Sequence, residues 1–278
     1  MYMIRTLLKT SLNHTLTPLI RRLGQMNLLS INWQDVGDLE AASRLLNTMQ
    51  ASHVLQPREE QVPENQKVIV LAPHPDDEII GCGGAVLQMI NAGCSVHVIY
   101  FTSDASDIES EEINAVADKM GFTYACLGFP MRGLSVLRAE DLQELARQIR
   151  DFQPQAIFLP FVLDDHPDHR DVSFALIEIA ESLKAYEETP VWTYQVYSAL
   201  PLNAVVSIGD VMPRKLESLR LYQSRFKPRD WAHYISGLNA YNTRFLYHPG
   251  ALDYAELYFK TYLKSYLTLC KSYHESLK

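Results

Sequence analysis

The sequence predicts an α/β protein organised around a mainly parallel sheet. Three observations carry this. Short, continuous apolar runs stand at 68–72, 96–101 and 156–159, the pattern of strands buried on both faces. The segments between them have helical periodicity and about the length that a right-handed crossover needs. Finally, two clusters of histidine and aspartate each follow directly on one of the strand-like stretches, at the edge where open α/β sheets bind ligands.

Residues 1 to about 55 read as helical, because Leu8, Leu12, Leu16, Leu19, Ile20 and Leu23 recur at spacings of three and four and Gly24 offers a stop. A helical extension over 1–60 is expected, then a domain over 67–278. The two are joined by a polar stretch at 56–66 with Pro57, Pro63 and no periodicity. Val68 to Ala72 is the first strand. Ile80, Gly84, Leu87, Met89 and Ile90 then form a helical stripe closed by Gly93, and Val96 to Phe101 is the second strand. A helix near 110–120, a strand at 124–127, a helix at 138–151 and a strand at 156–159 continue the alternation. Beyond residue 190, strands are expected at 191–197 and 205–208 and helices at 210–225 and 252–274. The last rests on Tyr254, Tyr258, Tyr262 and Tyr266, spaced four apart as on one helix face.

The 278 residues are 47% hydrophobic and 21% charged, enough apolar material for a substantial core. A formal net charge of −8 excludes a general basic field and so argues against nucleic acid as a partner. Cys82, Cys94, Cys126 and Cys270 form no C-x-x-C pair, which excludes a zinc knuckle or redox motif and suits a reducing compartment. No run reaches the roughly 18 apolar residues of a membrane span. With no compact secretory segment either, the cytoplasm is the expected location. Residues 1–34 are basic through Arg5, Lys9, Arg21 and Arg22. That segment is open to two readings: a surface helix on a membrane, or a packed extension or homo-oligomer contact broken at Pro18.

The first cluster is His74-Pro75-Asp76-Asp77-Glu78 and the second is Asp164-Asp165-His166-Pro167-Asp168-His169. Together they offer imidazoles and carboxylates with no thiolate, the donor set of a catalytic rather than a structural zinc site. An isolated Asp-Asp pair is equally well a helix cap; a second H-x-x-H cluster after another parallel strand favours chemistry. Gly81, Gly83 and Gly84 match no phosphate-loop spacing and read as close helix packing.

These residues, together with Gly81-Cys82-Gly83-Gly84, resemble the PIG-L/LmbE-like de-N-acetylases, the family of GlcNAc-phosphatidylinositol de-N-acetylase, from about 67 to 171. A weaker echo lies at Tyr254-Ala255-Glu256. The resemblance implies a Rossmann-like domain, a single divalent metal, zinc or ferrous iron, and hydrolysis of an N-acetyl group on an amino-sugar conjugate, lipid-linked or soluble. By position it implies His74, Asp77 and His169 as metal ligands, Asp76 as general base and a positively polarised His166 stabilising the tetrahedral intermediate. The chemistry agrees: amide hydrolysis needs an activated water, a polarised carbonyl and a proton for the departing amine.

The turn after Leu127-Gly128 carries Arg132 where many members have an aspartate, so Arg132 is a candidate grip for an anionic substrate group. Thr102-Ser103-Asp104 also departs from the family's T-x-G turn. Two other functions stay open. One is a metal-dependent amidase on non-sugar amides, and the other a glycan-binding scaffold without turnover.

Overall fold

A computed structural model describes residues 57–134, 137–226, 230–249 and 253–276. The helices expected over 1–55, and the basic segment 1–34, lie outside the described residues. The alternation read from the sequence is present: β1 (Arg58–Glu59), β2 (Lys67–Ala72), α1 (Asp77–Asn91), β3 (Ser95–Thr102), α2 (Asp107–Met120), β4 (Thr123–Phe129), α3 (Ala139–Phe152), β5 (Ala156–Pro160) and α4 (Pro167–Glu178). The chain continues through β6 (Pro190–Tyr194), β7 (Ala204–Ser207), α5 (Met212–Leu219), α6 (Gln223–Phe226), α7 (Trp231–Asn242), β8 (Ala255–Tyr262) and α8 (Leu263–Ser276).

Among the described residues the strands form one eight-stranded sheet in the order β1-β7-β8-β6-β5-β2-β3-β4. Every pairing is parallel except those of β8, which runs antiparallel to β6 and β7. From β2 the chain winds outward through β3 and β4, then returns to place β5 on the other side of β2, Val70 against Phe158. The two motif-bearing strands are therefore neighbours at the point where the winding reverses, the crevice in which such sheets bind ligands. Val68, Val70 and Phe158 face one core layer, while Ile69, Leu71, Ile157 and Leu159 face the other. Burial on both faces is why these strands read as unbroken apolar runs.

Three expectations need correction. The helix expected over 252–274 is strand β8 followed by helix α8, because a spacing of four is even and so fits one face of a strand as well as a helix. Tyr258 is buried on β8, Tyr262 is exposed at its end, and Tyr266 begins a separate pattern on α8, its hydroxyl 2.8 Å from that of Ser173. The helix expected at 210–225 is two helices, α5 and α6. The polar 56–66 stretch is also not wholly a linker, since β1 pairs with β7.

Helix α1 enters close to the sheet at its glycines, as expected. A Cβ on Gly81 would collide with the Tyr194 ring, and one on Gly84 would sit 2.6 Å from Ile208. The helix breaks at Cys82, whose φ is −144°. Glu256 from β8 supplies the missing acceptor beyond the break, taking the amide protons of Gly84 at 2.7 Å and Ala85 at 2.9 Å. Lys215 neutralises that carboxylate at 2.7 Å and is itself fully buried, bonded also to the Ile80 carbonyl and Asn239. Cys82, Cys94 and Cys270 are buried thiols and Cys126 is exposed; none is paired. Among the described residues no helix is long and apolar enough to cross a membrane.

Candidate metal centre and active site

The loop after β2 and the loop after β5 meet above the sheet, and the side chains at their junction are polar and almost wholly buried. His74 is 5% exposed, Asp77 1% and His169 0%. Their convergence centres on a single oxygen. Asp77 Oδ2 lies 3.0 Å from His74 Nδ1 and 3.2 Å from His169 Nε2, and it also accepts the His74 amide proton at 2.9 Å. Donors bound at about 2.0 to 2.1 Å around a tetrahedral ion are about 3.3 Å apart, so these spacings fit a cation between the three side chains. His169 adds a second sign of fit. It is fully buried, its nitrogens lie within ion-pair distance of Asp77 and Asp164, yet neither makes an aligned hydrogen bond. A buried imidazole so left is costly unless something else engages it.

Two carboxylates stand behind the imidazoles. Asp168 Oδ2 contacts His74 Nε2 at 3.0 Å, and Asp164 Oδ1 lies 3.3 Å from His169 Nδ1. This is the carboxylate–histidine arrangement that fixes ring orientation and tautomer at metal sites. Asp164 is held in turn by the amides of His166 at 3.0 Å and Tyr197 at 3.1 Å. Burial disfavours the charged form of His74, but its bonds to Asp168 and Asp77 outweigh this and hold it near 9. Burial opposes charge on His169 as well, and Asp77 with Asp164 raises it to about 10. Asp77, despite its burial, is held well below the usual carboxylate range by His169 and His74. The pocket thus strongly favours positive charge between these groups, whether protons or a cation in their place.

His166 caps α4, its Nδ1 accepting the Asp168 amide proton at 3.2 Å. A ring nitrogen of each of His74, His166 and His169 lies within 4.8 Å of the others. Burial, then the charges of His74 and His169, push His166 down to about 4. These surroundings favour the neutral form of the His166 ring. Because Nδ1 accepts a proton, the ring's own proton sits on Nε2, which makes His166 a hydrogen-bond donor.

Asp76 occupies the N-cap position of α1 with φ of 120°, a backbone conformation that costs of order 1–3 kcal/mol for a non-glycine residue. Its side chain does not cap the helix. Asp76 is thus not the side-chain cap that an isolated Asp-Asp pair would also allow. Glu78, which in the sequence reads as completing the first helical turn near its positive dipole end rather than as a base, is completely buried and accepts the Asp76 amide proton at 2.9 Å and the Tyr222 hydroxyl proton at 2.8 Å. Burial pushes its carboxyl up to about 7.

Arg132 lies at the rim, exposed, with φ of 62°, and its amide donates to Asp168 Oδ2 at 2.7 Å. The Thr102 hydroxyl donates to the Pro73 carbonyl at 2.8 Å and so braces the first motif from β3. Glu256, part of the weaker family echo, lies against the break in α1 in the Lys215 pair. In the sequence Asp168 reads equally as a carboxylate orienting a neighbouring imidazole or as an exposed loop residue; the fold buries it against His74. Asp164 carried no signal beyond its place beside H-x-x-H.

Residues 69–180 match the PIG-L family, GlcNAc-PI de-N-acetylase. Diacetylchitobiose deacetylase of Thermococcus kodakarensis is 25% identical over 208 residues, 63% of this chain and 77% of that protein. Two solved structures share the fold. One is the conserved protein TT1542 of Thermus thermophilus, with a TM-score of 0.59, 23% identity and coverage of 69% of this chain and 93% of that one. The other is N,N'-diacetylchitobiose deacetylase of Pyrococcus horikoshii, with a TM-score of 0.59, 23% identity and coverage of 72% and 85%.

Proposed function

We propose, from the match of residues 69–180 to the PIG-L family of GlcNAc-PI de-N-acetylase, that the chain is a metal-dependent hydrolase releasing acetate from an N-acetylglucosamine-type sugar or conjugate. The observation that carries the reading is Asp77 Oδ2 set between His74 Nδ1 and His169 Nε2 at 3.0 and 3.2 Å. We assign 67–278 to the catalytic domain, with β1 (Arg58–Glu59) added to its sheet, and the unpaired thiols favour a reducing compartment such as the cytoplasm.

His74, Asp77 and His169 would hold the ion, zinc or ferrous iron by donor type. His166 is the alternative third donor, but its Nδ1 lone pair is engaged by the Asp168 amide and its Nε2 carries the proton. A divalent cation there supplies a Lewis acid for the amide carbonyl and lowers the pKa of water.

The remaining steps belong to the protein. Asp76, not committed to the helix cap, accepts the proton of the attacking water and delivers it to the departing nitrogen. The His166 Nε2–H donates to the carbonyl oxygen as negative charge builds on it, a preorganised contact. Asp168 and Asp164 keep His74 and His169 in register. Arg132, at the rim, is suited to an anionic group on the substrate. Acetate release from N-acetylglucosamine, diacetylchitobiose and phosphate-bearing conjugates, beside acylated peptides and simple amides, tests the substrate class. Turnover of sugar acetamides alone supports the reading; equal turnover of peptide amides replaces it with a general amidase, and none with a binding protein.

A further inference from the structure

We propose that Glu78 is a positioning residue: its buried carboxylate holds the backbone of Asp76 at positive φ and thereby sets the position of the Asp76 side chain. The inference rests on the reading of Asp76 as general base. Glu78 is completely buried on the first turn of α1. Its Oε2 accepts the amide proton of Asp76 at 2.9 Å, while the Asp76 carbonyl accepts from Ile79 at 3.0 Å and Ile80 at 2.9 Å. Asp76 is thus pinned on both sides of its Cα, by a carboxylate before it and by the helix after it. Such over-determination is what a strained backbone requires to persist.

Glu78 does not stand alone. Its Oε1 accepts the Tyr222 hydroxyl proton at 2.8 Å, and the Tyr100 hydroxyl lies 3.2 Å from that of Tyr222. Both tyrosines are fully buried, Tyr100 on β3 and Tyr222 between α5 and α6. The carboxylate is therefore fixed from two elements remote in sequence. A helix that needed only a favourable charge at its start would leave this side chain in water.

The test compares Glu78→Met, Glu78→Gln and Tyr222→Phe, alone and in an Asp76→Asn background. All are measured by kcat, KM, bound metal per chain and thermal unfolding. Glu78→Met keeps apolar bulk but removes the acceptor. Its kcat should fall about 10- to 100-fold, the scale of a misplaced catalytic group, with KM changed less than about twofold and metal retained. Glu78→Gln retains an oxygen for the Asp76 amide and an NH₂ group for the Tyr222 oxygen, so it should recover most of kcat. Tyr222→Phe, which leaves Glu78 in place, should lower kcat less than Glu78→Met and guards against a Glu78 variant that does not fold. In the Asp76→Asn background Glu78→Met should lower kcat little further, because both act through one group. Additive losses, or a loss carried by KM and metal content, overturn the positioning role while leaving Asp76 as base. Full activity in Asp76→Asn overturns the base assignment and the Glu78 role with it.

Discussion

The backbone of Asp76 makes an unusual prediction, in which glycine stabilises where alanine does not. With φ of 120° at this position, a side chain costs of order 1–3 kcal/mol that glycine does not incur. Elsewhere in a helix or strand glycine is worse than alanine by roughly 0.5–1 kcal/mol, through its freedom in the unfolded chain. The two effects oppose, and the strain is the larger. Asp76→Gly should therefore be more stable than Asp76→Ala by about 1–2 kcal/mol, or roughly 2–8 °C in melting temperature for a domain of this size. Both variants lack the carboxylate, so both should lose turnover by about 10²- to 10⁴-fold. The assay is thermal unfolding of the two proteins at equal metal and protein concentration, with kcat measured on the same samples. If Asp76→Ala is as stable as Asp76→Gly, Asp76 is not held under strain in the folded protein.

Asp77→Asn should bind metal more weakly than Asp76→Asn after identical dialysis, with activity partly restored by excess zinc, because only Asp77 lies between two imidazoles; metal analysis of both checks this. Lys215→Met should destabilise by about 3–5 kcal/mol in denaturant unfolding, since Glu256 would be left buried without its cation. Arg132→Ala should weaken binding of charged conjugates by about 1.5–3 kcal/mol in inhibition assays and leave neutral ones unchanged, equal effects on both removing Arg132 from substrate recognition.

Strands β2, β3 and β5 were legible because both of their faces are buried, so residues of every parity had to be apolar. Strand β8 was not, since tyrosines four apart satisfy two periods at once and the sequence does not say which wins. Strand β1, two exposed polar residues, carries no pattern at all. At the site, His74, Asp76, Asp77, His166 and His169 stood out because they abut strand ends in clusters. The partners of Asp168 and Glu78 did not, because they are remote: His74 lies 94 residues from Asp168, and Tyr222 lies 144 from Glu78.

On the proposed function, one divalent ion held by His74, Asp77 and His169 carries the release of acetate from a sugar. The most direct test is a titration of chelator-treated protein with zinc or ferrous iron, following acetate release from an N-acetylglucosamine substrate. Activity should be negligible at the start and rise to saturation at about one equivalent per chain, in keeping with a three-donor site with open positions. Full acetate release from protein shown to be metal-free would contradict it.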